Sequence, residues 1–220
     1  MKQSKQDDVH NTVLKVLAEI EEKAKKDFLP SIGPIKGKII EDVIKDHKPK
    51  KVLEIGTLHG YSAILIANTM LDYIYGKENS DIDFKSSEPI LISVEKDEKL
   101  AIIARNNIEN SRLSKLIQVI NGDAIEEIPK LKSKSKFSMI FLDATKSEYL
   151  KYLQLIEEYG LLSKRAVVVA DNVIIYENEM KDYLDYVRYS GKYVSRTTKT
   201  TLEFSKNVGD ALEVSINVVF

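Results

Sequence analysis

The chain has 220 residues, of which 43% are hydrophobic and 30% charged, values that are ordinary for one globular domain. Its net charge of −1 gives no overall positive field that would draw it to nucleic acid or an anionic membrane. The absence of cysteine excludes disulfides and thiolate chemistry. Together with the polar N-terminus and the lack of an apolar run of roughly 20 residues, this absence predicts a cytoplasmic protein.

The first fifty residues predict two helices with a break between them. Apolar residues recur at helical spacing from Val9 to Ala24, which predicts an amphipathic helix within residues 8–26. The Pro and Gly of "LPSIGPIKG" interrupt the pattern, and helical spacing resumes from Gly37 to His47. The pattern leaves open whether the first helix is a lid over a substrate site or a contact in a homodimer.

After residue 49, short apolar runs alternate with helical segments. We expect strands at "KKVLEI", residues 90–94, "LIQVI", "FSMIFL" and "AVVVA", and helices at residues 61–71, 97–110, 147–159 and 178–189. The polar segments "YGKENSDIDFKSSEP" and "LKSKSK" are expected to be loops, and "YVSRTT", "TLEFS" and "LEVSINVVF" end the chain with β character. This order predicts an α/β fold with a doubly wound, mostly parallel sheet, helices on both faces and an antiparallel edge.

Acidic and amide side chains follow the strands one after another. In an open parallel sheet, ligands bind beyond the carboxyl ends of the strands, so these side chains are expected to share one site. The residues concerned are Glu54 and Gly56, Glu95, Asn121 to Asp123, Asp143, and Asp171 with Asn172.

Two features near these strand ends, a glycine pair and an acid, indicate a ligand that carries a nucleoside. Gly56 and Gly60 in "VLEIGTLHGYS" would let the backbone approach a ligand, although a plain strand-to-helix turn explains the pair equally well. Glu95 ends the second strand, where folds of this kind hold ribose hydroxyls. The glycine spacing is not G-x-G-x-x-G, and the P-loop ending is missing, so recognition of a pyrophosphate or triphosphate is disfavoured.

Three further strand-end residues are candidate metal ligands. Asp143, Asp171 and Asn172 would offer two carboxylates and an amide oxygen, which suit Mg²⁺ or a similar divalent cation. For Asp171 and Asn172 alone, an Asx turn is the simpler explanation. No histidine or cysteine joins the group, which argues against zinc.

From about residue 28 to the C-terminus, the sequence resembles the catechol O-methyltransferase-type, S-adenosylmethionine-dependent methyltransferases. The likeness rests on the cofactor loop "VLEIGTLHGYSA", the metal motifs "FLDATKSEYLKYLQLI" and "GLLSKRAVVVADNVI", the closing hairpin "NVGDALEV", and "IGPIKGKII" at the approach to the cofactor site. It implies a single methyltransferase domain over residues 1–220 with a Rossmann-like sheet of seven strands, the last antiparallel, and with the helices of residues 1–47 as a lid or entry segment.

The resemblance also implies roles for individual residues. It implies S-adenosylmethionine and Mg²⁺ as cofactors, with Asp143, Asp171 and Asn172 as the metal ligands. Lys146 would be the general base, and Glu203 would accept a hydrogen bond from the second hydroxyl of the acceptor. Phe28, Lys146, Asn172, Tyr176 and Glu203 would surround that acceptor. The residues implied to contact the cofactor are Ile32, Glu54, Gly56, Gly60, Tyr61, Ser62, Glu95, Lys96, Gly122, Asp123, Ala124 and Asp143.

The implied activity is Mg²⁺-dependent transfer of a methyl group from S-adenosylmethionine to a hydroxyl of a diphenol-like small molecule. Mammalian members carry His and Trp at the positions of Ala144 and Thr145, next to adenine and substrate, so ring-stacking contacts are lost and the pocket is expected to be wider here. Tyr176 also replaces a proline of the mammalian enzymes. The alternative is a methyltransferase acting on RNA or another non-catechol acceptor. The four lysines near "LKSKSK" are weak support for RNA, because no basic stripe accompanies them. No membrane partner is expected.

Overall fold

A computed structural model describes residues 5–74, 88–133, 136–203 and 205–219. The helices are α1 (Lys5–Asp27), α2 (Gly33–His47), α3 (Tyr61–Ile74), α4 (Glu98–Asn110), α5 (Ala124–Lys130), α6 (Tyr149–Glu158) and α7 (Lys181–Tyr189). The strands are β1 (Val52–Ile55), β2 (Leu91–Glu95), β3 (Ile117–Asn121), β4 (Phe137–Leu142), β5 (Leu162–Ala170), β6 (Tyr193–Leu202) and β7 (Ser205–Asn217). The predicted loop "YGKENSDIDFKSSEP" lies mostly outside the described residues, as do residues 134 and 135 of "LKSKSK".

The seven strands form one sheet in the order β3-β2-β1-β4-β5-β7-β6. Strands β1 to β5 pair in parallel, and β7 pairs antiparallel with both of its neighbours. The prediction of a doubly wound, mostly parallel sheet with an antiparallel last strand is therefore confirmed. The chain moves outward from β1 in one direction and from β4 in the other, so the point at which the strand order reverses lies between β1 and β4.

The C-terminal end forms the antiparallel edge that the sequence predicts. The antiparallel strand β7 lies inside the sheet, and the edge strand is β6. The segment "NVGDALEV" lies within β7, whereas the described turn residue between β6 and β7 is Glu203. The segment is therefore part of the closing hairpin, in its second strand, and the pairing of β6 with β7 places Gly209 and Asp210 in the ladder.

Helices cover both faces of the sheet, as predicted. Side chains from α1 to α4 contribute to one buried apolar cluster, and side chains from α5, α6 and α7 contribute to the other. All four residues of β1 are buried, as expected for a central parallel strand that is covered on both sides. Burial of this apolar surface is the main force that holds the layers together.

Local signals explain the starts of two helices. Asp97 caps α4 as predicted, because its side chain accepts a hydrogen bond from the backbone N–H of Leu100 at 3.0 Å. Helix α2 begins at Gly33, four residues earlier than predicted. Pro34 is tolerated in its first turn, where a backbone N–H has no partner within the helix.

Helix α1 packs on its own chain. Its apolar stripe, including Val13, Leu17 and Ile20, is buried in the cluster that contains α3. Glu21 accepts a hydrogen bond from the hydroxyl of Tyr61 at 2.6 Å, which fixes α1 to the start of α3. A homodimer contact through α1 stays a prediction. In the part of the chain that is described, no helix has both the length and the apolar character needed to cross a membrane.

Candidate functional site

Three adjoining cavities lie at the carboxyl ends of the parallel strands. The central cavity has a volume of about 240 Å³ and is lined by Ile20, Ala24, Pro30, Ser31, Ile32, Gly56, Thr57, Leu58, His59, Tyr61, Ser62, Asp143, Lys146, Asn172 and Tyr176. The sheet cavity, of about 250 Å³, is lined by residues that include Glu95, Lys96, Gly122, Asp123 and Ala124. The outer cavity, of about 580 Å³, is lined by Lys25, Phe28, Leu29, Pro30, Ser31, Asn172, Ile175, Tyr176, Leu202, Glu203 and Ser205.

The central cavity connects the other two. It shares Gly56, Leu58 and Asp143 with the sheet cavity, and it shares Asn172 and Tyr176 with the outer cavity. All of the predicted site residues except Glu54, Gly60 and Asp171 therefore line one groove. The groove crosses the point where the strand order reverses, which is where open α/β sheets bind ligands.

Gly56 explains why the loop after β1 lies so close to the end of β4. Its φ of +96° is a backbone conformation that residues with a side chain rarely adopt. A Cβ atom at this position would lie 2.7 Å from the carbonyl carbon of Asp143 and still closer to the carbonyl oxygen. Glycine thus allows the loop and Asp143 to form one continuous wall.

Glu95 holds the other side of this loop. One of its carboxylate oxygens, Oε2, accepts hydrogen bonds from the backbone N–H groups of Thr57 at 3.1 Å and Leu58 at 2.8 Å. The other oxygen, Oε1, accepts from the N–H of Asp97 at 3.0 Å. A carboxylate has about four acceptor positions, so Glu95 keeps capacity for a ligand hydroxyl while it fixes the loop.

Glu54 and Gly60 lie behind the loop and do not line any of the three cavities. Glu54 is fully buried and accepts a hydrogen bond from the hydroxyl of Ser93, which in turn contacts Thr57. Burial raises the pKa of Glu54 to about 7. Among the predicted cofactor residues, Ile32, Tyr61 and Ser62 do face the central cavity.

The sheet cavity contains the remaining predicted cofactor residues. Lys96 forms an ion pair with Asp123 at 2.6 Å, and Asp123 caps α5 by accepting from the N–H of Ile125 at 2.9 Å. Ala144 and Thr145 line this cavity and not the outer one. The space left by their small side chains is therefore beside Glu95 and Asp123, which corrects the expectation that it widens the acceptor pocket.

The three predicted metal ligands lie at the ends of β4 and β5. Asp171 and Asn172 are only 3% and 9% exposed, and Asn172 has a φ of +65°, which asparagine tolerates better than most residues. Burial, together with the negative charge of Asp143, raises the pKa of Asp171 well above its usual range. No three His, Cys, Asp or Glu side chains come together as a metal-binding group in the described ranges, so a site here needs the amide of Asn172.

Two buried charges that sequence reasoning missed lie beneath these ligands. Lys36 Nζ donates to Asp171 Oδ1 and to Asp210 Oδ2, both at 2.6 Å, and Asn172 Nδ2 donates to the same Asp210 oxygen at 2.9 Å. Burial alone would lower the pKa of Lys36, but Asp171 and Asp210 raise it overall. Burial alone would raise the pKa of Asp210, but the hydrogen bonds from Lys36 and Asn172 hold it lower. A signal was present, because Lys36 lies one turn before Ile40 on the apolar face of α2.

Lys146 lies directly beside the metal candidates. Its Nζ donates to Asp143 Oδ1 at 2.8 Å and to the hydroxyl of Tyr149 at 2.9 Å. The same nitrogen is 6.0 Å from the ring centre of Tyr176. The predicted base is therefore fixed between a carboxylate and two aromatic rings in the central cavity, and one of these rings, Tyr176, also lines the outer cavity.

The outer cavity contains the predicted acceptor residues. Phe28 and Tyr176 are 93% and 39% exposed, so both rings are available to a ligand. Glu203 lies over Gly33, where any Cβ atom would collide with the Glu203 side chain. Its Oε2 accepts a hydrogen bond from the N–H of Ile35 at 3.3 Å, which places the carboxylate at the positive end of α2.

Comparison with known proteins identifies relatives along most of the chain. A sequence model of the family described as "O-methyltransferase" matches residues 3–189. The chain is 34% identical to catechol O-methyltransferase B of Danio rerio over 194 residues, which cover 87% of this chain and 67% of that protein. It is 33% identical to catechol O-methyltransferase of Bos taurus over 86% of this chain and 64% of that protein, so part of the relative's length has no counterpart here.

The fold also matches solved structures at lower sequence identity. An O-methyltransferase from Bacillus cereus, crystallised in complex with SAH, superposes with a TM-score of 0.72 at 22% identity and covers 96% of this chain and 91% of that one. The O-methyltransferase TomG of Streptomyces achromogenes, in complex with SAM, gives 0.75 at 19% identity and covers 93% and 90%. At these identities the structural matches establish the fold, and the sequence matches establish the family.

Proposed function

We propose, on the premise that this chain belongs to the O-methyltransferase family, that it transfers a methyl group from S-adenosylmethionine to a hydroxyl of a catechol-like small molecule with the help of Mg²⁺ or a similar cation. One observation carries the proposal. Lys146, hydrogen-bonded to Asp143 at 2.8 Å, lines the central cavity 6.0 Å from the ring centre of Tyr176, and that ring also lines the outer cavity. A proton acceptor, an acidic cluster and a place for a ring thus adjoin one another.

The methyl donor is assigned to the sheet cavity and the central cavity. Glu95 would accept hydrogen bonds from the ribose hydroxyls, and Lys96, Gly122, Asp123 and Ala124 would surround the base. Ile32, Gly56, Tyr61, Ser62 and Asp143 would border the methionine part in the central cavity. Glu54 and Gly60 would act from behind, by supporting the loop that contacts the donor.

The donor atoms at Asp143, Asp171 and Asn172 fit a hard divalent cation. Burial, and after it the negative charge of Asp143, raises the pKa of Asp171, and a bound cation would favour the charged form of this carboxylate. Since Asp210 can only accept, the hydrogen bond from Asn172 Nδ2 turns the amide oxygen of Asn172 away from Asp210 and leaves it for a cation. When bound, Mg²⁺ would supply positive charge that acidifies and orients the acceptor hydroxyl.

The protein's side chains would do the rest of the chemistry. Phe28 and Tyr176 would hold the acceptor ring, and Glu203 would accept a hydrogen bond from the second hydroxyl. Lys146 would take the proton of the reacting hydroxyl, a role for which it must lose its own proton first. The acceptor oxygen then bonds to the methyl carbon as the carbon–sulfur bond breaks, which leaves a methyl ether and S-adenosylhomocysteine. Holding the reacting atoms in line contributes on the order of 7–11 kcal/mol in well-oriented systems.

The test is methyl transfer from isotopically labelled S-adenosylmethionine to a panel of catechols, caffeoyl compounds and RNA, each with and without Mg²⁺. We expect transfer to at least one diphenol, only with metal, and none to RNA. Transfer to RNA alone would replace the proposed acceptor with a nucleic acid. Equal transfer to a monophenol and its matching diphenol would remove the role given to Glu203.

A further inference from the structure

We infer that Lys36 and Asp210 are positioning residues for the cation site, because together they decide which oxygens of Asp171 and Asn172 are presented to a metal. The inference rests on the proposed function, since it concerns the same site. Lys36 is 1% exposed and comes from α2, whereas Asp210 is fully buried and comes from β7. Neither residue lines any of the three cavities, and Asp171 does not line them either, whereas Asn172 lines the central and outer cavities. Lys36 and Asp210 would therefore act on a metal through Asp171 and Asn172.

Lys36 sets the orientation of the Asp171 carboxylate. Its ammonium group donates to Oδ1 at 2.6 Å, so this oxygen is already engaged by a positive charge. Because a carboxylate group is planar and its two oxygens diverge, the second oxygen faces away from Lys36. Asp171 would therefore meet a cation through one defined oxygen.

Asp210 sets the orientation of the Asn172 amide in the same way. Its Oδ2 accepts from Asn172 Nδ2 at 2.9 Å, which a flipped amide could not satisfy, since two oxygens would then face each other. Its Oδ1 accepts at 3.3 Å from the N–H of Ile174 and at 3.4 Å from that of Ile175, so it also fixes the turn that follows Asn172. The amide oxygen of Asn172 is left as the outward-facing atom.

The network is more than an ion pair that ties α2 to the sheet. An ion pair between Lys36 and Asp210 alone would join those two elements. Instead, a single oxygen of Asp210 accepts from both Lys36 and Asn172, and Lys36 also contacts Asp171. Both strand-end ligands are therefore attached to the same pair of buried charges, and a change in either charge should alter the metal site before it alters the donor site.

The experiment compares wild type with Asp210→Asn, and uses Asp185→Asn as the matched control. Asp185 is an exposed acid on α7 that forms an ion pair with Lys181. The Asp210→Asn substitution keeps the size of the side chain but replaces one carboxylate oxygen with an NH₂ group. This group adds donors where Lys36 and Asn172 already donate, so the Asn172 amide loses its fixed orientation. The measurements are the dissociation constant for Mn²⁺ alone, by electron paramagnetic resonance, and that for S-adenosylhomocysteine without metal, by calorimetry.

We expect Asp210→Asn to weaken Mn²⁺ binding by about 10- to 100-fold, the range typical of residues that orient metal ligands. Binding of S-adenosylhomocysteine should stay within about twofold of wild type, and saturating Mn²⁺ should restore most of the methyl transfer. Asp185→Asn should match wild type in every measurement. If Asp210→Asn binds Mn²⁺ as wild type does, or loses both ligands in parallel, the positioning role is overturned.

Lys36→Arg covers the case in which Asp210→Asn does not fold. It keeps the positive charge but changes its reach, and Lys38→Arg on the exposed side of the same helix is its control. Weaker Mn²⁺ binding in Lys36→Arg alone supports the inference, and unchanged binding refutes it. A wild-type protein that binds no Mn²⁺ would instead count against the proposed metal dependence, so the two failures are distinguishable.

Discussion

Replacing Gly56 with alanine should damage stability and activity together. The new Cβ atom would lie 2.7 Å from the Asp143 carbonyl carbon, and backbone atoms cannot move aside as a flexible side chain can. A positive φ costs an L-residue roughly 1–2 kcal/mol, and overpacking adds about 1–3 kcal/mol. We therefore expect the free energy of unfolding to fall by roughly 2–5 kcal/mol.

Gly160→Ala is the matched control for this change. Gly160 also has a positive φ, of +64°, but a Cβ atom there would meet nothing within 4 Å. Only the conformational cost of about 1–2 kcal/mol should remain, so the difference between the two variants isolates the contact with Asp143. Urea denaturation measures both values.

The same pair of variants tests the link from this contact to function. Displacing Asp143 by about an ångström can lower the rate of methyl transfer by roughly 100-fold, because alignment of the reacting groups is lost. Gly160→Ala should keep the wild-type rate. If Gly56→Ala is no less stable than Gly160→Ala and transfers methyl groups normally, the proposed close approach of loop and acid is wrong.

Three other predictions concern single side chains. Lys146→Met should lower turnover by about 10²- to 10⁴-fold, as loss of a general base does. Its affinity for S-adenosylmethionine, measured by equilibrium dialysis, should change little. Full turnover in this variant would exclude Lys146 as the base. Glu203→Gln should shift the ratio of the two monomethyl ethers formed from an unsymmetrical catechol, measured by chromatography, and an unchanged ratio would contradict its role. Glu54→Gln tests a buried acid whose pKa is raised to about 7. Because the pKa is higher in the folded protein than in the unfolded chain, the wild type should lose stability as the pH rises from about 4.5 through 7. The free energy of unfolding of Glu54→Gln relative to wild type, from urea denaturation, should therefore be higher at pH 8 than at pH 5 by on the order of 3 kcal/mol. A gain that is equal at the two pH values would show that Glu54 is ionised without penalty.

The sheet and its ligand-binding edge could be predicted because their signals are local. Apolar runs such as "FSMIFL" mark a strand within the run itself, and acids at strand ends share an edge once the strands are parallel. Gly56 was identifiable because a tight turn after a buried strand needs a residue without a side chain. These signals are enough to bring Asp143, Asp171 and Asn172 together from the sequence.

The position of Lys36 on the apolar face of α2 was a signal, but its partners could not be predicted because they are far from it in the chain. Lys36 precedes Asp171 by 135 positions and Asp210 by 174, and no local pattern links them. A single lysine in a helix is normally solvated, and an aspartate after Gly209 normally marks a turn. Only the packing of α2 against the strand ends makes Lys36 a buried partner of two acids.

The most direct test of the proposed metal site is a metal-depletion cycle with wild-type protein. Transfer of the labelled methyl group from S-adenosylmethionine to a diphenol is measured with Mg²⁺, after chelation, and after Mg²⁺ is restored. We expect transfer to be present, lost and recovered in that order, with Asp143→Ala inactive throughout. Transfer that persists at the same rate after chelation would contradict the role proposed for Asp143, Asp171 and Asn172.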